Sequence, residues 1–263
     1  MQNFFYFLLA LGATTAGAMT GMGGGVIIKP LMDVLHGFDV ESISVVSSIT
    51  VFFMSIVSIG KQLLSKTEIP FIIAIPLSLG SVAGGYLGQE LLQIAVSAFH
   101  VQAQVTVIQN GILVILILSV CLYMRQKDQI LGKHVSAPWA SLAVGCFLGI
   151  CSSFLGIGGG PINIVLIIFL YSVSTKTATI CSLMTILFAQ ISKLLTVAIS
   201  TGFTMYDLSV APTMVLGAIM GGLLGAELNK RCSEKTVESA FCIVQLIVLM
   251  IAASNIIRNI AEL

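Results

Sequence analysis

Two glycine runs are the first residues in this chain whose types and spacing could do chemistry. One is Gly21-Met22-Gly23-Gly24-Gly25, and the other is Gly156-Ile157-Gly158-Gly159-Gly160-Pro161. Glycine reaches backbone conformations closed to other residues, so successive N–H groups can converge on one concavity. A helix starting just beyond adds the positive end of its dipole. Gly23, Gly24, Gly25, Gly158, Gly159 and Gly160 are therefore candidate ligands for a small anion. Glycines also permit close helix contact, and that is the reading for Gly80, Gly84 and Gly88 and for Gly217, Gly221 and Gly225.

Polar stripes come next. At helical spacing, Ser44, Ser47, Ser48, Ser55, Ser58 and Gln62 fall within about a 100° arc, and Ser182, Thr185, Ser192, Lys193, Thr196 and Ser200 do likewise. A single hydroxyl often satisfies its own helix carbonyl, whereas matched stripes read as the wet wall of a pathway. Lys193 lies inside an apolar stretch and Lys29 just after the first glycine run. A charge there is a functional-site hypothesis, with snorkelling to the surface as the alternative. Asn163, Gln190, Gln109 and Asn110 add uncharged hydrogen-bonding candidates.

Other chemistries lack their residues. His36, His100 and His134 fall in or beside loops, with no HExxH, GxSxG or Walker A motif. No enzyme activity, cofactor or metal is expected. The carboxylates Asp33, Glu90 and Glu227 sit towards the ends of apolar stretches, which weakens a cation relay. The six cysteines form no CxxC and read as small apolar packing residues; a thiol or sulfur-transfer protein using Cys151 or Cys181 is the remote rival. A net charge of +1 gives no nucleic-acid face.

The elements that must hold these residues are membrane spans. The 263 residues are 57% hydrophobic and only 9% charged, against about 25% charged in a soluble domain, so the partner solvent is a lipid bilayer. Eight apolar stretches appear, at 4–35, 42–63, 69–92, 102–124, 138–171, 177–200, 206–228 and 237–260. The first lacks the basic leader of a signal peptide and reads as mature protein. The first and fifth are too long for one helix and are broken by the glycine runs, which predicts hairpins turning inside the membrane. Lysine and arginine gather at 61–68 (Lys61, Lys66), 125–134 (Arg125, Lys127, Lys133) and 229–236 (Lys230, Arg231, Lys235), but are absent from 93–101 and 201–205. The positive-inside rule makes the first three loops cytoplasmic and both termini external. With Lys176 also inside, 138–171 must leave and return on one side.

The chain repeats itself. An offset of 135 matches Gly21, Gly23, Gly25, Ser47 and Thr50 to Gly156, Gly158, Gly160, Ser182 and Thr185. An offset of 137 matches Gly80, Gly84, Gly85, Gly88 and Glu90 to Gly217, Gly221, Gly222, Gly225 and Glu227. Loop charges reverse between the copies, so the expected fold is an all-α polytopic transporter of two inverted repeats. Each copy is a broken, re-entrant-like hairpin plus three transmembrane helices, with 1–124 and 138–263 as the repeats and 125–137 as a cytoplasmic linker. Such repeats also build channels, so an anion channel stays open as an alternative.

These residues resemble the sulfite exporter TauE/SafE family across essentially the whole chain. The resemblance rests on GMGGGVIIKP at 21–30, GIGGGP at 156–161, the Ser/Thr-rich helices after them, and the GGxLG runs at 84–88 and 221–225. It implies a membrane transporter, usually an exporter, of a small sulfur-containing or organosulfur anion such as sulfite, thiosulfate or a sulfonate, in the bacterial inner membrane. The roles of Lys29 and Lys193 match no family motif and rest on the residues alone. Oligomeric state, transport direction and any coupling ion are not legible in the sequence.

Overall fold

The computed structural model describes residues 2–35, 37–65, 69–99, 101–127, 132, 135 and 137–261. Lys66, Lys133, His36, His100 and His134 lie outside the described residues. Ten α-helices and no strand form among the described residues. They are α1 (Gln2–Thr20), α2 (Gly25–Leu35), α3 (Val40–Leu64), α4 (Phe71–Ala98), α5 (Gln102–Gln126), α6 (Pro138–Phe154), α7 (Pro161–Tyr171), α8 (Thr175–Ser200), α9 (Ala211–Arg231) and α10 (Glu234–Ala261). Six of these, α3, α4, α5, α8, α9 and α10, are long and apolar enough to cross a membrane.

The first and fifth apolar stretches each break at their glycines. Gly21 and Gly23 take φ of 79° and 78°, and Gly156, Gly158 and Gly159 take 65°, 61° and 131°. Side chains rarely tolerate that region, so these positions end α1 and α6. Pro161 then opens α7 at a position where its missing N–H would have no helical partner. The resulting α2 and α7 have 11 residues each, about 16 Å at 1.5 Å per residue, or half a bilayer core. Asp39 caps α3 by accepting from Ser42 N at 2.7 Å, and Ser174 caps α8 by accepting from Thr177 N at 3.2 Å. These caps fix where the two polar-striped helices begin.

Small residues decide the packing. A Cβ on Gly80 would fall 2.0 Å from Leu142 O, and one on Gly84 2.0 Å from Cys146 O, so α4 lies directly on α6. Gly217 and Gly225 bring α9 close to α1, their Cβ positions 2.7 Å from Phe7 O and 2.4 Å from Thr15 O. Gly85 and Gly222 do the same towards α8 and α3, facing Ala189 O and Met54 O. The pairs α1–α9 and α6–α4, α3–α9 and α8–α4, and α2–α10 and α7–α5 interchange when each helix is replaced by the one five places away.

The molecule is apolar outside and polar inside. Ile72, Ile115, Leu122, Leu216 and Met250 are exposed, whereas Ser44, Ser47, Ser48, Ser55, Ser182, Gln190 and Lys193 are wholly buried. Water would penalise that exterior and lipid would not, so this is a membrane protein.

Candidate functional site

The two glycine turns meet at the centre of the helix bundle. A Cβ on Gly25 would fall 2.1 Å from Ile157 O, one on Gly23 2.9 Å from Gly158 O, and one on Gly159 3.0 Å from Met22 O. Each turn is therefore glycine-rich partly because the other turn occupies the space. Gly24 faces a different way, with its absent Cβ 2.7 Å from Thr14 Cγ2 on α1. Gly160 is the least confined, its nearest neighbour being Ile157 Cδ1 at 3.2 Å. Among the described residues, the N–H groups of Gly23, Gly24, Gly158 and Gly159 make no backbone–backbone hydrogen bond. Unpaired buried amides are rare in proteins.

Side chains from α3, α6 and α8 surround the turns. Lys193 is fully buried and reaches Ser44 Oγ at 2.5 Å and Ser153 O at 3.2 Å. It does not snorkel. Ser182 Oγ donates to Gly21 O at 2.6 Å, tying α8 to the first turn. Ser47 Oγ lies 2.7 Å from the position of a Gly25 Cβ and has no partner, and neither has Ser153 Oγ. Ser48 and Thr185 instead bond to carbonyls of their own helices, Ser44 O at 2.7 Å and Cys181 O at 2.9 Å. Gln190 donates to Ser152 Oγ at 3.1 Å and leaves its Oε1 unpaired. Asn163, one turn into α7, is buried beside Gly159, Gly160 and Ser152.

Lys29 has a partner that the sequence reading did not assign. Its ammonium contacts both oxygens of Asp33 at 3.0 and 2.9 Å, and Asn110 Nδ2 approaches Asp33 Oδ2 at 3.3 Å. Asp33 ends an apolar stretch in sequence, yet it is only 6% exposed because α2 turns inward from the glycine break. The i, i+4 spacing of Lys29 and Asp33 was the available signal. The Lys29 stem also reaches the second turn, with Cδ 3.3 Å from the position of a Gly156 Cβ. Of the two serines that hold Lys193, Ser44 was visible as a member of a polar stripe, whereas Ser153, inside the apolar stretch 138–171, gave no signal.

The model of the sulfite exporter TauE/SafE family matches residues 6–252. The chain belongs to this family. It is also 24% identical over 284 residues to the protein named "Probable membrane transporter protein YunE" of Bacillus subtilis (strain 168), a match covering 97% of this chain and 98% of that protein. No solved structure matches the chain.

In this TauE/SafE member the centre is closed. On one side of the glycine turns, Val51, Met54, Ile59, Leu183 and Ile186 form a buried apolar cluster. Beyond it, the ends of α3, α8 and α9 enclose a cavity of about 430 Å³ lined by Lys61, Gln62, Lys176 and Lys230. At the other end of the bundle, a cavity of about 320 Å³ reaches Asp33, Thr106 and Asn259.

Proposed function

We propose that this transporter exports a small sulfur-containing oxyanion or organosulfur anion, such as sulfite, thiosulfate or a sulfonate, which binds between the two glycine turns. The observation that carries the reading is Lys193. It is a fully buried lysine whose amino group is held by neutral oxygens, with no carboxylate among its partners in the described residues. Lys29 is neutralised by Asp33, so among the described residues of the centre a protonated Lys193 is the cation left without a counter-charge. A buried charge of that kind calls for a counter-charge, and the amides of Gly23, Gly24, Gly158 and Gly159 together with the free hydroxyls of Ser47 and Ser153 supply donors around it. Gly25 and Gly160 shape the turns. Ser48, Ser182, Thr185, Gln190, Asn163 and Lys29 form the surrounding polar wall.

The same reading makes 1–124 and 138–263 inverted repeats joined by a cytoplasmic 125–137 linker, with the two broken stretches as re-entrant hairpins in a bacterial inner membrane. Its support is the interchange of helix pairs together with the reversal of loop charge. The closed centre favours alternating access over an open anion channel. An interior-negative potential drives an anion outward by about 2.3 kcal/mol per charge per 100 mV, so export needs no cation partner.

The test is efflux of labelled thiosulfate and sulfite from proteoliposomes under an imposed potential. Saturable, potential-dependent flux is expected. Flux that does not saturate would assign the chain to channels, and the absence of flux for sulfite, thiosulfate and a sulfonate alike would remove the substrate class.

A further inference from the structure

The cavity at the ends of α3, α8 and α9 does not belong to the central site. Its charged lining residues among those described are Lys61, Lys176 and Lys230, all cationic. The nearby carboxylate of Glu227 is shared between Lys61, at 2.8 Å, and Arg231, so the positive charge there exceeds the negative. Deeper in the same cavity, Gln62 is only 6% exposed, yet neither its Nε2 nor its Oε1 has a hydrogen-bond partner. A buried amide is seldom left wholly unsatisfied without an occupant.

We propose that this cavity is a loading site for a small, doubly charged oxyanion, held by Lys176 and Lys230 and capped by the Gln62 amide. About 430 Å³ is larger than such an ion. It therefore arrives with part of its water shell, as a first and looser stop. The floor explains why it stops. Ile180 is 3% exposed, and Leu183 and Ile186 follow it along α8 within the apolar cluster. From Ile180 to Ile186, which abuts Gly159, is about 9 Å along the helix. An apolar constriction of that kind excludes a hydrated ion until it opens. The inference rests on the exporter reading for its direction, with the lysine-rich end cytosolic by the positive-inside rule, but not for its site.

The test uses the unmodified chain in phosphatidylcholine vesicles made permeable to small solutes, with thiosulfate as the probe. Lysine acetylation by an amine-reactive ester is read by mass spectrometry at Lys176 and Lys230, with exposed Lys235 as the control. At about ten times its Kd, thiosulfate should slow acetylation of Lys176 and Lys230 roughly tenfold and leave Lys235 unchanged. Gln62→Leu should weaken that protection, and Lys193→Met, which alters only the central site, should retain it. No protection in a chain that transports thiosulfate would overturn the loading site and leave the exporter reading standing. Protection without transport of any oxyanion would keep the site and overturn the exporter reading. Protection that appears with phosphatidylglycerol alone, and does not grow with thiosulfate, would give the cavity to a lipid headgroup and overturn the proposal.

Discussion

Replacing Lys193 with methionine removes one charge from the centre while keeping an unbranched side chain of similar length. Among the described residues the Lys193 amino group touches only Ser44 and Ser153 oxygens, so two effects separate by sign. Stability loses a donor to three neutral acceptors but also loses a buried lysine with no counter-charge, and these oppose each other. Affinity loses a charge-assisted hydrogen bond to the anion, worth about 1.5–3 kcal/mol, which is roughly 10- to 150-fold in Kd at 1.4 kcal/mol per decade. Lys193→Arg should lose less, because it keeps the charge, yet not nothing, because a planar guanidinium presents its donors differently from a compact ammonium. The assay is thiosulfate affinity in proteoliposomes at matched protein density, with thermal unfolding measured alongside. A Lys193→Met affinity within about twofold of the native value, with unfolding unchanged, would refute the reasoning and leave the glycine amides as the anion-binding feature.

Three further outcomes are expected. Gly25→Ala and Gly159→Ala should abolish flux and lower stability by about 1–3 kcal/mol, because a side chain at either position strikes the opposite turn or Ile186, whereas Gly160→Ala should keep most of both; flux and thermal unfolding of the three variants decide this. Asp33→Asn should destabilise by about 3–5 kcal/mol by stranding the buried Lys29 charge, and Lys29→Met with Asp33→Asn should recover most of it, as read by thermal unfolding. On a cysteine-free background, an impermeant maleimide should reach Thr204→Cys but not Lys235→Cys in intact cells; the reverse pattern would overturn the orientation.

What was legible in the sequence follows from how local each signal is. The helix breaks were readable because Gly21, Gly23, Gly156, Gly158 and Pro161 each carry a backbone restriction or freedom of their own. The close packing at Gly80, Gly84 and Gly88 was readable because small residues four apart line one helix face. The partners of Lys193 were not, since Ser44 and Ser153 lie 149 and 40 residues away in the chain. Nor was the burial that pairs Lys29 with Asp33, since Asp33 sits towards the end of an apolar stretch in sequence and is only 6% exposed in the fold. The direction of Gly24 was equally hidden: it faces Thr14 on α1, while its neighbour Gly25 faces the opposite turn.

The duplication and the charges obey different rules. At the offset of 135 that aligns the glycines, Lys29 corresponds to Ile164, Asp33 to Ile168, and Lys193 to Ser58. The glycine frame must be shared, because each turn gives way to the other and a side chain on either side would part them. A second lysine at Ser58 would add another uncompensated ammonium to a closed centre, and the desolvation penalty grows with each unpaired charge. On the proposed function, one unpaired lysine between two repeats suits one anionic group at a time. The two ends are unequal as well, with Lys61, Lys176 and Lys230 at one and Asp33 at the other. On the proposed function, that inequality concentrates an anion at the lysine-rich end and so raises its loading rate. It cannot set the direction of net flow, because a fixed protein charge does no work over a transport cycle. The membrane potential acting on the carried charge does that work.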